Sequence, residues 1–337
     1  MGMVKSGKSI IAALFVSVLV VLGLTMGISA QESSPSQVGN GFRISPLRNE
    51  EVIEKGQTKE VILEVTNPTA SNINAKVIIN DFEANNVNGE PKIFYDPDTS
   101  APGNSFKSIT TTPASVSIAA GQSVKVPVTI TIKDTNSSGG YYGAVRFEPE
   151  ALPGDANVSI GASVGSLFLV TVPGDITESL EIVQLTAAKG TTPENTSNGS
   201  FFIGNGSDMK VVTSLKNTGS IHVKPFGRIQ VADSKGNIVE QYEFNNTDPR
   251  SNVLPNSTRT FTDNLNYNKF FGKYTITANL GYGSAGNLIT AKSSFWVIPV
   301  WLVVVAVATL ILIVVGAFLL YRKLRQNRKH KVAPRRR

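Results

Sequence analysis

Residues 297–320 form a run of 24 positions without a single charged side chain. As a helix the run is about 36 Å long, enough to cross a hydrocarbon layer of roughly 30 Å with some tilt. Its flanks are lopsided. Trp296 and Trp301 stand at one end and Tyr321 at the other, where amphipathic rings prefer a membrane interface. Residues 321–337 then carry nine Lys and Arg and no acid, the bias that holds a flank in the cytoplasm. A buried core helix has no need of such flanks. The run therefore predicts one spanning helix, with residues 31–296 outside. The basic tail is read first as a stop-transfer and orientation signal, and second as a contact for anionic lipid or a cytoplasmic partner.

At the other end, Lys5 and Lys8 precede an apolar run over residues 10–24 and a small, polar stretch ending at Ala30. That is the layout of a secretory signal over residues 1–30. Ile28 stands where a small residue is usual, so retention as an anchor stays open. Gln31 in place of cysteine excludes lipoprotein attachment at that position. With both ends set aside, residues 31–296 hold 21 cations and all 25 acids. No surplus of positive charge remains to neutralise phosphates, which argues against nucleic-acid binding. Cysteine is absent and histidine occurs twice. Disulfides, thiolate metal sites and Cys nucleophiles are thereby removed, and the inventory points to a protein without enzyme activity, metal or cofactor.

Between the two apolar segments the pattern is short alternating runs broken by turn residues. Residues 58–67 place Val61, Leu63 and Val65 on one side, the period of two expected of a half-buried strand. Residues 73–83, 123–132, 141–148 and 164–172 read likewise, followed by 209–217, 227–232, 238–244, 258–265 and 273–280. No stretch sustains helical periodicity. Strands at this spacing predict an all-β chain of two tandem immunoglobulin-like sandwiches. The expected order is a signal (1–30), a linker (31–41), a first sandwich (42–175), a second sandwich (176–296), the membrane helix (297–320) and a basic tail (321–337). Residues 190–199 read as a long polar loop. The two halves repeat weakly: Val65-Thr66-Asn67 and Leu215-Lys216-Asn217 each close a strand in a turn, and Gly140-Tyr141-Tyr142 parallels Gly272-Lys273-Tyr274.

Few residues invite chemistry. Tyr141-Tyr142 beside glycines could form an aromatic platform for a sugar, but one core ring and one strand-surface ring is the preferred reading. Asp96, Asp98, Asp81 and Glu83 could supply oxygen ligands to calcium, yet the loop spacing is missing, and turn carboxylates explain them better. His222 falls in an alternating segment read as strand, and His330 lies in the basic tail. Leu254-Pro255-Asn256-Ser257-Thr258 resembles a sortase signal but departs from it at the fourth and fifth places and lies too far before the helix. Asn136, Asn157, Asn195, Asn198, Asn205, Asn245 and Asn256 stand in glycosylation sequons, which a chain rich in Asn, Ser and Thr produces by chance.

Several short motifs carry a family resemblance. Phe42-Arg43-Ile44-Ser45-Pro46, Gly56-Gln57-Thr58, Val65-Thr66-Asn67, Asn88-Gly89 and Gly139-Gly140-Tyr141-Tyr142-Gly143-Ala144 resemble the first domain of the Gram-positive WxL-interacting surface proteins. Asn217-Thr218-Gly219, Lys224-Pro225-Phe226-Gly227 and Gly272-Lys273-Tyr274 resemble their second domain. The layout of signal, two sandwiches, helix and basic tail is similar too. The resemblance implies peptidoglycan binding by the first domain and contact with host or neighbouring surface proteins by the second. It offers no catalytic or ligand motif to place on individual residues. The leading function is therefore a membrane-anchored, single-pass surface protein that binds cell-wall polymer or another surface protein, with edge strands open to a partner strand. A donor-strand chaperone for surface subunits is the alternative. A wall hydrolase with paired carboxylates comes last, because nothing marks a pair.

Overall fold

A computed structural model describes residues 42–85, 89–96, 98–150, 163–191 and 196–330, without the side chains of 326–330. The signal over 1–30, the linker over 31–41, Asn157, Asn195 and the side chain of His330 lie outside the described residues.

The first ten strands are β1 (Arg43–Ser45), β2 (Arg48–Val52), β3 (Thr58–Thr66), β4 (Ile73–Ala84), β5 (Pro91–Ile93), β6 (Thr110–Thr111), β7 (Ser115–Ile118), β8 (Ser123–Thr131), β9 (Gly139–Glu150) and β10 (Val164–Val172). They form two sheets, ordered β1-β3-β8-β6 and β2-β10-β9-β4-β5, with β7 on β4. Alternation explains the first. Val61, Leu63 and Val65 of β3 oppose Val128, Val126 and Val124 of β8 and pack inward with Ile130, Phe147 and Phe168. In β9 and β10 the alternation fails: Tyr141, Ala144, Val145, Phe147 and Phe168 to Val170 are all buried. A strand covered on both faces reads as a continuous apolar run. Close packing is visible at Gly143, where an added Cβ would collide with the Phe106 ring; that ring stacks on Phe168 at 5.2 Å.

The second set is β11 (Leu180–Lys189), β12 (Ser197–Gly199), β13 (Phe201–Ile203), β14 (Met209–Asn217), β15 (Phe226–Asp233), β16 (Ile238–Phe244), β17 (Ser257–Asn264), β18 (Gly272–Tyr282) and β19 (Asn287–Ile298). Its sheets are β12-β11-β14-β17 and β13-β19-β18-β15-β16. A core of Met209, Leu215, Ile229, Ile276, Phe295 and others lies between them. In each sandwich the early chain crosses from one sheet to the other and ends parallel to the last strand, β2 on β10 and β13 on β19. The fold is two β-sandwiches followed by one apolar helix, α1 (Val300–His330).

Three local expectations change. Residues 197–199, read as loop, pair with β11 as β12. Residues 220–223, read as strand, are irregular, with only Val223 bridging Val253. Val297 and Ile298, assigned to the helix, finish β19, because Val297 is fully buried in the sandwich core. The helix starts at Val300 and is long and apolar enough over Val300–Arg325 to cross a membrane, with a mean hydropathy of 3.1 and no part buried.

The Asn residues that close β3 and β14 explain the weak internal repeat. Both side chains are fully buried. Asn217 Nδ2 donates to the Ile221 and Val253 carbonyls, each at 2.8 Å, while Oδ1 accepts the Gly219 N–H at 2.8 Å. Asn67 does the same with Ser71 and Ile118 as acceptors and the Thr69 N–H as donor. One amide thus ties a strand end to a loop in each sandwich, satisfying backbone groups that water cannot reach.

Candidate functional site

The two sandwiches meet along the outer face of β10-β9-β4. Leu254, from the segment before β17, packs there against Phe82 and Leu169, with Tyr142 and Leu167 at the margin. This contact covers the second face of β9 and β10. Polar contacts continue the junction. The Tyr142 hydroxyl accepts the His222 N–H at 2.8 Å and lies 3.3 Å from His222 Nδ1. Gly140 N–H reaches the Ser220 carbonyl at 3.3 Å. Arg48 donates to the Arg250 carbonyl at 3.0 Å.

Glu50, on β2, is the electrostatic hub. It pairs with Lys224 across the junction, accepts Asn252 Nδ2 at 3.0 Å, and lies 3.1 Å from Arg48 Nε. His222 Nε2 is 3.9 Å away. Burial pushes the Glu50 carboxyl up, but the Lys224 and Asn252 hydrogen bonds and the charges of Lys224 and Arg48 outweigh it, so it titrates below the usual range. Burial pulls His222 down to about 4; Glu50 opposes this, and the Lys224 and Arg48 charges reinforce it. Burial keeps the Tyr142 phenol protonated, its pKa well above normal.

A pH dependence follows. The folded junction protonates His222 only below about 4, whereas a released histidine takes its proton near 6.5. Stability is complete above that value and falls as the pH drops, by up to about 3 kcal/mol once both states are protonated. Glu50 acts in the same direction, because its lowered pKa gives stability that is lost on acidification. Thermal melts of the full chain between pH 7 and pH 4 should show this loss, and His222→Asn should flatten most of it. An equal loss in the variant would contradict the assignment.

Beside these contacts opens a cavity of about 440 Å³. One wall comes from the first sandwich: Phe82, Glu83, the 101–104 segment, Gly140 and Tyr142. The other comes from the second: Ser220 and the 254–257 segment. The Asp81 carboxylate holds the first rim, accepting the Ala101 and Lys107 N–H groups, each at 2.9 Å. Asn256 stands in the left-handed backbone region, with φ of 53°, at the tip of the second rim. The lining mixes amide, hydroxyl and carboxylate groups with ring and glycine surface, a composition suited to a polar polymer rather than an apolar small molecule.

The residues singled out by sequence separate clearly. Tyr141 is core, its hydroxyl bonded to the Ser137 carbonyl at 2.9 Å. Tyr142, the other ring of the pair, does not lie on a free strand surface but is covered by the second sandwich. Asp81 supports a rim, Glu83 lines the cavity and pairs with Lys92 at 2.8 Å, and Asp96 closes a turn on the Asp98 N–H at 3.0 Å. Among the described residues, no group of three or more His, Asp or Glu is placed to hold a metal ion. The sortase-like segment is folded into the junction through Leu254. Of the sequons, Asn245 is buried and bonded to the Pro225 and Ser251 carbonyls, while Asn136 caps its own turn through Lys133. Glu50, Asn252 and Asn104 carried no signal, and Lys224 entered only within a short motif of the family resemblance, because each acquires its role from a distant segment.

The first sandwich supplies one wall of the cavity, and residues 52–149 within it match the WxL Interacting Protein, peptidoglycan binding domain. Over that stretch the chain is similar to the WxL-interacting proteins. No curated protein matches it. Among solved structures, the class 5 fimbriae chaperone CfaA is 14% identical at a TM-score of 0.38, over 75% of this chain and 98% of that one. The E. coli chaperone DraB is 13% identical at 0.32, over 74% and 97%. The Pseudomonas aeruginosa CupB2 chaperone is 10% identical at 0.31, over 74% and 98%. The matched binding domain and the C-terminal apolar helix support a surface-binding, membrane-associated reading of this β-rich chain.

Proposed function

We propose that the chain is a single-pass surface protein that binds peptidoglycan in the cleft between its sandwiches, with residues 42–175 and 176–296 as its domains. Residues 31–296 lie outside the membrane and residues 321–337 inside. The match over residues 52–149 carries this reading, since that stretch contributes Phe82, Glu83, the 101–104 rim and Tyr142 to the cleft. The orientation is supported by the nine cations after Tyr321. The mechanism is adhesive. Amide groups of Asn104 and Asn256 hydrogen-bond the sugar and peptide of the wall, while Pro102, Pro255 and the glycines give it a flat bed. The helix holds the complex at the membrane, and neither bond making nor a cofactor is required.

The test is sedimentation of the full chain, held in lipid nanodiscs, with purified peptidoglycan. The native chain should sediment. Asn104→Ala combined with Asn256→Gly should weaken it about tenfold, two lost hydrogen bonds at about 0.5–1.5 kcal/mol each. Glycine is chosen at 256 because the backbone there is left-handed. No sedimentation of the native chain, with capture of an extended strand from another surface protein instead, would transfer the function to the assembly-factor reading.

A further inference from the structure

The helix-proximal end of the second sandwich has an unusual outer face. In β13-β19-β18 the register sets Phe201, Trp296 and Lys273 in one row, and Ile203 beside Ile298 two residues nearer the helix. The intervening row, Phe202 and Val297, is buried in the core. Since side chains alternate, these two rows point outward. Phe201 is 69% exposed, Ile203 65% and Trp296 40%, and Phe271 in the adjoining turn is 57% exposed. The Phe201 and Trp296 rings lie parallel at 6.5 Å. No carboxylate stands on these rows; the charge present is Lys273. Backbone bonds from Trp296 N–H to the Ser200 carbonyl at 2.7 Å and from Gly204 N–H to the Ile298 carbonyl at 3.0 Å fix the patch to the strand. Two residues after Ile298 the chain becomes α1.

We propose that this face lies against the bilayer, its rings and aliphatic side chains in the headgroup and upper acyl region and Lys273 at anionic headgroups, so that the second sandwich reclines on the membrane. The proposal rests on the reading that α1 spans. Continuity with the helix identifies lipid as the occupant: the apolar rows adjoin the segment that already enters lipid, and aromatic and basic residues are the types an interface selects. Geometry separates this from a sandwich standing upright on its helix. With β19 along the membrane normal, Trp296 would sit about 13 Å from Val300 at roughly 3.3 Å per residue, beyond a headgroup layer of about 5–8 Å. Only a reclining sandwich brings it to lipid. The consequence is a fixed lean for the first sandwich and its cleft.

The chain has two tryptophans, Trp296 and Trp301, which makes the test direct. The full chain is reconstituted in vesicles of phosphatidylcholine and phosphatidylglycerol with brominated acyl chains. In W301F, Trp296 should emit at short wavelength and lose most of its intensity to the bromolipid; in W296F, Trp301 should be quenched too. Adding F201D and I203D to W301F should shift the Trp296 emission to the red and abolish quenching, while the same pair leaves Trp301 in W296F quenched. Trp296 open to aqueous iodide while Trp301 is quenched would overturn the proposal but not the span. Unquenched Trp301 would remove the span and the proposal together. Trp296 shielded from both bromolipid and iodide would mean that protein, such as a second copy, covers the face, and would overturn it as well.

Discussion

Asn217→Leu should cost the second sandwich several kcal/mol, a large part of the roughly 5–15 kcal/mol that holds a domain folded. Leucine repeats the branching of the asparagine side chain but is bulkier, so some overpacking adds to the loss. The larger part of the loss is polar. The Ile221 and Val253 carbonyls would lose their donor and the Gly219 N–H its acceptor, in a place the amide itself keeps dry. An orphaned buried group costs about 1–3 kcal/mol. Asn217→Asp retains the acceptor but sets a buried carboxylate against the two carbonyl oxygens, so it should cost at least as much as leucine. Urea melts read the difference as a lower midpoint. Unchanged midpoints in both variants would show that the loop does not depend on this residue. Asn67→Leu should repeat the result in the first sandwich, where the same arrangement recurs.

Leu254→Asp should separate the sandwiches without unfolding either. Leu254 belongs to neither main core; it is buried only against Phe82 and Leu169 of the other sandwich. An unpaired carboxylate there faces a desolvation cost of several kcal/mol, which the chain escapes by opening the junction. The expected signs are a larger radius of gyration in solution scattering and faster protease cleavage in residues 173–179, with the melting of each sandwich nearly unchanged. Ties between Thr177 and Ser220 and between Glu178 and Ser284 remain, so the opening is a hinge beside the second sandwich. An unaltered radius of gyration would mean that the Glu50–Lys224–Asn252 contacts suffice alone.

The sequence revealed strands wherever one face is buried over a long run. β8 was legible because apolar and polar positions alternate along it, β3, β14 and β16 because turn residues bound short runs rich in β-branched and other apolar residues, and α1 because apolar residues follow one another for longer than any strand requires. β11 was missed because its register shifts between Ile182 and Gln184, which breaks the two-residue period. β19 was missed because much of it is exposed, and its end was absorbed into the helix because Val297 and Ile298 are as apolar as the membrane segment they precede. β1 and β2 are short, and β2 pairs with β10 more than a hundred residues away, so no local signal exists.

The candidate site was legible only in outline. The near-continuous burial of β9 and β10 has a counterpart in sequence, since Gly139 to Val145 and Leu167 to Val172 contain few polar residues. Both segments nevertheless read as half-buried strands, and nothing in them says that a second layer covers them, that Leu254 supplies it, or that Glu50, Tyr142, His222 and Asn252 converge. Those four come from four separate segments, and their meeting depends on how two sandwiches dock. A strand-surface place for one ring of Tyr141-Tyr142 is therefore correct for the isolated sandwich and wrong for the pair.

Hydrogen exchange of the full chain in nanodiscs, with and without soluble peptidoglycan fragments, tests the central claim most directly. Protection is expected at 82–84, 101–104 and 254–257, the two rims of one cleft, and it should disappear in Leu254→Asp although both sandwiches remain folded. Protection elsewhere, or protection at these segments that survives separation of the sandwiches, would contradict a binding site built at their junction.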